Sequence, residues 1–275
     1  MTLFDAFRYD GKRVVVVGGA TGMGAAAAEL LLDAGAEVVV MDYADVPFPV
    51  AQAIKVDMRD QAQMDSAIEE CGGRVDALFS CAGIADGPDV MKVNFNAHRH
   101  IVDRLLAAGA LSRGSAIAMI SSAAGLGWPG NLPTLIDFLD TPDFDAANEW
   151  VAKHEGTDNY MFAKQAMNAY VGRQAIPLMK QGIRINSIMP GPTDTPLARA
   201  NAEVWLGFGT EFRAAAGTEH LTPEEMAYPL VFLNSGAASG ISGVQLVVDH
   251  GQVGAVASGA FEDIGVQFLL GTAQM

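Results

Sequence analysis

One segment limits what this chain can fold into more than any other: a glycine-rich turn set between an apolar β-branched run and a helix-forming run. Val14 to Val17 read as a buried strand, Gly18-Gly-Ala-Thr-Gly22-Met-Gly24 as the turn, and Ala25 to Leu32 as a helix. Glycine tolerates positive φ and lets another backbone approach closely, while a helix N-terminus offers unpaired N–H groups and a partial positive charge. Strand, glycine turn and helix in that order predict a cradle for a pyrophosphate at the carboxyl end of the first strand.

The rest of the chain repeats the alternation. Further strands are expected at Ala36 to Met41, Ala53 to Val56, Val75 to Ser80, Ser115 to Ser121, Gly182 to Ile188 and Gly243 to Val248. Helices are expected at Gln61 to Glu70, Asp89 to Leu111 and Asn159 to Gln181. Such alternation gives an α/β fold, a doubly wound parallel sheet of about seven strands with helices on both faces and ligands at the strand carboxyl ends. Gly18, Asp42, Asp57, Gly83, Ser122 and Pro190 all fall at or just past those ends, as a single cleft requires. Two segments depart from the alternation, Trp128 to Asp158 and Val253 to Met275, and both are candidate cleft or oligomer elements. In the first, Leu132, Leu135, Ile136, Phe138, Leu139 and Phe144 predict one or two short amphipathic helices.

With 50% of its 275 residues hydrophobic, the chain can bury one large core. It is read as a single domain over residues 1–275, with an insertion at about 128–158 and a C-terminal extension at about 253–275. A net charge of −15 repels nucleic-acid phosphates and anionic membrane surfaces, so neither is an expected partner, and it favours a neutral or apolar substrate. No apolar run reaches the roughly 18 residues of a membrane span. The first residues also lack the apolar centre of a signal peptide, which predicts a cytoplasmic protein. Cys71 and Cys81 are too few for a disulfide framework and lack metal-ligand spacing with a histidine, so no metal is expected. His98, His100, His154 and His220 show no partner set and read as packing or surface residues.

Chemistry enters at Tyr160 and Lys164, whose spacing stacks both side chains on one face of a helix. An ammonium beside a phenol stabilises the phenolate and brings a group with an ordinary pKa of roughly 10 toward proton transfer at neutral pH.

Gly18-x-x-x-Gly22-x-Gly24, Cys81-Ala82-Gly83, Val93-Asn94, Ile120-Ser121-Ser122, Tyr160-x-x-x-Lys164, Pro190-Gly191-Pro-Thr193-Asp-Thr195 and Val247-Val248-Asp249 follow one another along the chain. In this order they resemble the classical short-chain dehydrogenase/reductase family, from about Arg13 to Gly251. The segment between Ser122 and Tyr160 is similar to that of the bacterial 3α-hydroxysteroid dehydrogenase/carbonyl reductase type. The resemblance implies a Rossmann fold in which Tyr160 is the general acid or base at the substrate oxygen and Ser122 hydrogen-bonds the same oxygen. It further implies that Lys164 lowers the tyrosine pKa and binds the nicotinamide ribose, and that Asn94 holds a proton-relay water.

For the cofactor, the resemblance implies binding by Gly18, Thr21, Gly22, Met23 and Gly24 at the turn and by Asp57 and Met58 at the adenine. Cys81, Ala82 and Gly83 would line the same site, together with Tyr160, Lys164 and the loop residues Pro190, Gly191, Thr193 and Thr195. Asp42 can accept hydrogen bonds from a free ribose hydroxyl and would repel a 2′-phosphate, and neither Tyr43 nor Ala44 offers such a phosphate a positive charge. NAD(H) is therefore the expected cofactor. Val17, Ser80-Cys81, Ala163 and His250 depart from the family's usual residues without removing a group that does chemistry. The expected activity is interconversion of a secondary alcohol and a ketone, apolar and alicyclic or steroid-like, in a homodimer or homotetramer. A broad-specificity carbonyl reductase and a non-catalytic dinucleotide-binding regulator are the alternatives.

Overall fold

A computed structural model describes residues 2–272, so the last three residues of the expected C-terminal extension lie outside the described residues. The β-branched runs become strands of one parallel sheet: β1 Arg13–Val17, β2 Glu37–Asp42, β3 Gln52–Lys55, β4 Ala77–Ser80, β5 Ala116–Ile120, β6 Arg184–Pro190 and β7 Gln245–Val248. Their order across the sheet is β3-β2-β1-β4-β5-β6-β7. Val17 sits beside Met41 on one side and Ser80 on the other. The chain thus reverses direction across the sheet between β1 and β4, which opens a crevice at their carboxyl ends.

Alternation along β1 builds both faces of this Rossmann-like fold. Val15 and Val17 join a core with Leu78, Phe95 and Met167. Val14 and Val16 face a second core with Leu31, Met226 and Leu230. Helices α1 Gly22–Asp33 and α10 Pro223–Asn234 cover this second face, while α2 Gln61–Cys71, α3 Ala97–Ala107 and α6 Tyr160–Lys180 cover the first. Among the described residues no helix is long and apolar enough to cross a membrane.

The helix after β4 differs from the unbroken Asp89 to Leu111 expected. Asp89 has φ +67°, a wider π turn runs over Lys92–Asn96, and the helix stops at Ala107 where Gly109 takes φ +68°. A left-handed residue ends a helix by satisfying its last carbonyls, here through Gly109 N to Leu106 O and Ala110 N to Leu105 O.

The segment between β5 and α6 forms two helices, α4 Leu132–Leu139 and α5 Phe144–Lys153. Phe138 is fully buried, with ring centroids 5.5 Å from Phe95, 5.1 Å from Trp150 and 5.6 Å from Phe162. The insertion is therefore part of the core beside α3 and α6. After β6 come the short helices α7 Pro196–Ala200, α8 Ala202–Trp205 and α9 Thr210–Ala216, and after β7 come α11 Gln252–Ala257 and α12 Ile264–Leu270.

Candidate active site

The carboxyl ends of β4, β5 and β6, the first turn of α1 and the start of α6 meet in a cleft of about 430 Å³, which the glycines of the turn after β1 do not line. It brings together Met23, Cys81, Ala82, Gly83, Ser122, Tyr160, Lys164, Pro190, Gly191, Thr193 and Thr195 from distant parts of the chain. The helix that carries Tyr160 starts sharply because Asn159 Oδ1 accepts from Phe162 N at 2.9 Å and Asp86 Oδ1 accepts from Tyr160 N at 2.5 Å.

Lys164 lies one turn further along α6 and is 3% exposed. Its Nζ donates to the Ile120 carbonyl at 2.9 Å and sits 5.3 Å from the centroid of the Tyr160 ring. Burial without a counter-ion pushes Lys164 down to about 8, and Cys81 opposes this only weakly. Tyr160 moves the other way from the direction its spacing to Lys164 predicts. Burial raises it to about 12, the neighbouring Ser122 hydroxyl pulls it back, and the Asp86 charge raises it further. Loss of hydration is the largest cause, so at neutral pH the phenol holds its proton.

The two serines after β5 separate as strand alternation requires. Ser121 Oγ donates to the Lys164 carbonyl at 3.1 Å and is buried against α6. Ser122 Oγ accepts from Ala124 N at 3.2 Å and faces the Tyr160 phenol. Asn94 is fully buried in the π turn and does not line the cleft. Its Oδ1 accepts from Ile84 N and its Nδ2 donates to Ile84 O, both at 2.8 Å, which holds the loop after β4 in place.

The glycine turn is closely fitted. A Cβ on Gly24 would lie 2.0 Å from the Gly18 carbonyl oxygen, and one on Gly18 would lie 2.3 Å from Ala82 N. Gly18 and Gly22 have φ +81° and +59°. Asp42 ends β2 beside this turn, with one oxygen accepting from Ala20 N at 2.9 Å and the other from Ala44 N at 2.8 Å.

A family model described as enoyl-(acyl carrier protein) reductase matches residues 18–252. The chain belongs to the short-chain dehydrogenase/reductase family. It is 31% identical to the 3-alpha-hydroxysteroid dehydrogenase/carbonyl reductase of Comamonas testosteroni over 251 residues, covering 86% of this chain and 95% of that protein. It is 30% identical to the cis-4-hydroxycyclohexanecarboxylate dehydrogenase of Sinomonas cyclohexanicum, covering 86% and 94%. The crystal structure of the 3-alpha-hydroxysteroid dehydrogenase from Pseudomonas sp. B-0831 complexed with NADH is similar in fold, with a TM-score of 0.72, 25% identity and coverage of 92% and 100%. As a short-chain dehydrogenase/reductase the chain is an oxidoreductase, of a family that binds a nicotinamide dinucleotide and acts on small molecules.

The residues of this short-chain dehydrogenase/reductase fit that cofactor. Helix α1 has neither a side-chain cap from Thr21 nor an acidic residue in its first turn, whereas α2, α5, α6 and α10 are capped by Asp60, Asp143, Asn159 and Thr222. Its first amides therefore remain open to a pyrophosphate above glycines that leave no room for side chains. The Pro190 to Thr195 loop holds itself in shape, with Thr193 Oγ1 donating to Gly191 O at 2.9 Å and Thr195 Oγ1 accepting from Ala198 N at 3.1 Å. At the adenine end the expected contacts are less direct. Asp57 is paired with Arg59 at 2.6 Å, the Met58 side chain joins the core, and Tyr43 is 73% exposed.

Several lining residues carried no motif. Asp86, Ile84 and Met161 line the cleft with Tyr160, and Leu197, Val204, Trp205, Phe208, Phe268 and Leu269 supply an apolar wall. The Trp205 ring packs 4.9 Å from that of Tyr160. The histidines have definite partners. His98 is fully buried, donates from Nε2 to the Ala82 carbonyl at 2.9 Å, and is pushed down to about 4 by burial. His100 meets Asp65 at 2.9 Å, His154 stacks on Trp150 at 3.8 Å, and His220 meets the Leu206 carbonyl at 2.9 Å.

Proposed function

We propose that this chain is an NAD(H)-dependent oxidoreductase that interconverts a secondary alcohol and a ketone of apolar, alicyclic or steroid-like build. The observation that carries the proposal is one cleft in which Ser122, Tyr160 and Lys164 face an apolar wall of Leu197, Val204, Trp205, Phe208, Phe268 and Leu269. Tyr160 donates its proton to the substrate oxygen in reduction and removes it in oxidation. Ser122 hydrogen-bonds the same oxygen as charge develops on it. Lys164, held by the Ile120 carbonyl, keeps a positive charge near the phenol and reaches the ribose side of the cleft. A nicotinamide dinucleotide, when bound, supplies or accepts the hydride. A protonated Tyr160 is in the form that serves as the acid in reduction, and the deprotonated form is the one that serves as the base in oxidation.

Asp42 supports NAD(H) over NADP(H), because its carboxylate stands beside the glycine turn where a 2′-phosphate would bring more negative charge. The NADH in the related Pseudomonas structure agrees with this reading. Replacing Tyr160 by Phe tests the chemistry. NADH affinity should stay within about twofold while ketone reduction falls by roughly 10²-fold or more. Retained turnover would sink the assignment. Parallel NADH and NADPH titrations test the cofactor, and equal or tighter NADPH binding would refute the role of Asp42.

A further inference from the structure

We propose that helix α12 is a substrate wall of this chain, and that Phe268 and Leu269 set the size and apolar character of the group admitted to Tyr160. The inference rests on the secondary-alcohol reading above. β7 runs parallel to β6 and ends beside Pro190 at the same carboxyl edge of the sheet, and the chain that follows lies along the cleft, where Gly265, Phe268 and Leu269 line the space shared with Tyr160 and Ser122. None of these three brings a polar side-chain atom, so α12 can discriminate only by shape and apolar contact.

Three contacts clasp the helix. Phe208, from the segment after β6, lies on the α12 backbone, because a Cβ on Gly265 would be 2.8 Å from its Cε2. On the opposite flank Gly127, just after Ser122, lets the Leu269 carbonyl approach to 2.8 Å from where its own Cβ would stand. At the base, Asp263 accepts from Val266 N at 3.1 Å with one oxygen and from the Nε2 of buried Gln252 at 2.8 Å with the other. Gly265 and Gly127 thus admit a close approach that side chains would block. Phe268 lines the cleft and is nevertheless 64% exposed, so among the described residues much of a large apolar face at the mouth is left uncovered. An apolar ring entering toward Tyr160 would cover that face, whereas a small acyclic substrate would not reach it.

The test compares the intact chain with one ending after Phe261, and with the full-length variants Phe268→Ala and Gly265→Val, the last of which forces α12 away from Phe208. NADH affinity, KM and kcat are measured with cyclohexanone and with 2-butanone, and amide hydrogen exchange is followed over residues 202–212. In the shortened chain, NADH binding within about twofold of normal and a KM for cyclohexanone raised about tenfold or more are expected. The KM for 2-butanone should change less than about threefold, and Phe268→Ala should shift cyclohexanone in the same direction. Equal changes for the two ketones, or none, would overturn the proposal. If the intact chain reduces neither ketone, the secondary-alcohol reading fails separately, and exchange decides the wall. Exchange over 202–212 at least about fivefold faster in both the shortened chain and Gly265→Val supports the clasp, and unchanged exchange overturns it.

Discussion

Replacing Lys164 by methionine should make the protein more stable at neutral pH while removing its activity. Lys164 is buried, and its pKa falls from 10.5 to about 8 on folding. At 1.36 kcal/mol per pH unit, this difference costs the folded state roughly 3 kcal/mol wherever both states would carry the charge. Methionine has a similar reach and no charge, and its chief penalty is the Ile120 carbonyl left without the 2.9 Å bond from Nζ. An orphaned buried acceptor costs about 1–2 kcal/mol. The variant should therefore be about 1–2 kcal/mol more stable at pH 7. The sign reverses with pH because the folded pKa is the depressed one. The cost of burying the ammonium is complete below about pH 8 and fades as pH rises to 10.5, where the unfolded chain also loses its proton. At pH 10.5 and above the missing hydrogen bond dominates, and the variant should be the less stable protein. Urea unfolding at pH 7 and pH 10.5, at equal protein concentration and followed by tryptophan fluorescence, reads both ends. A variant destabilised equally at the two pH values would refute this account of Lys164.

Three other substitutions test separate parts of the site. Because the Asp86 charge raises Tyr160, Asp86→Asn should move the rise of alcohol oxidation with pH to lower pH, and a kcat/KM profile shifted upward or not at all would contradict this. Asn94→Leu removes both 2.8 Å bonds to Ile84 and should cost about 2–4 kcal/mol, read from denaturant midpoints, with an unchanged midpoint counting against its positioning role. Gly24→Ala places a Cβ 2.0 Å from the Gly18 oxygen, so NADH binding should weaken by about 100-fold or more, and near-normal affinity would show that the turn is not the cradle.

The strands were legible because runs such as Val14 to Val17 and Val38 to Met41 are buried on both faces, and their apolar continuity survives without knowledge of their neighbours. The glycine turn was legible for a related reason, since its backbone shape depends on residues next to one another. The π turn at Lys92–Asn96 was not, because it accompanies a tertiary reach of Asn94 back to Ile84 that helix propensity does not encode. The spacing of Tyr160 and Lys164 predicts proximity but not the depth of burial that drives their pKa values apart. The segment from Val253 was legible as a candidate cleft element, but not which apolar residues would face the cleft, since Trp205 and Phe268 on short helices and Phe208 in the turn between α8 and α9 would look the same facing a core. Asp86 resembled any exposed acidic residue until the first amide of α6 was found on its carboxylate.

The order β3-β2-β1-β4-β5-β6-β7 also bears on how such a chain is made. Read in the direction of synthesis, each strand finds a completed neighbour already waiting: β2 joins β1, β3 joins β2, β4 takes the other side of β1, and every later strand extends that growing edge. No strand must leave a gap for one still inside the ribosome, so long-range pairing is laid down stepwise rather than awaited. The glycine turn emerges first and α12 last. A nascent or prematurely terminated chain would thus acquire its phosphate cradle well before it could enclose anything beside Tyr160.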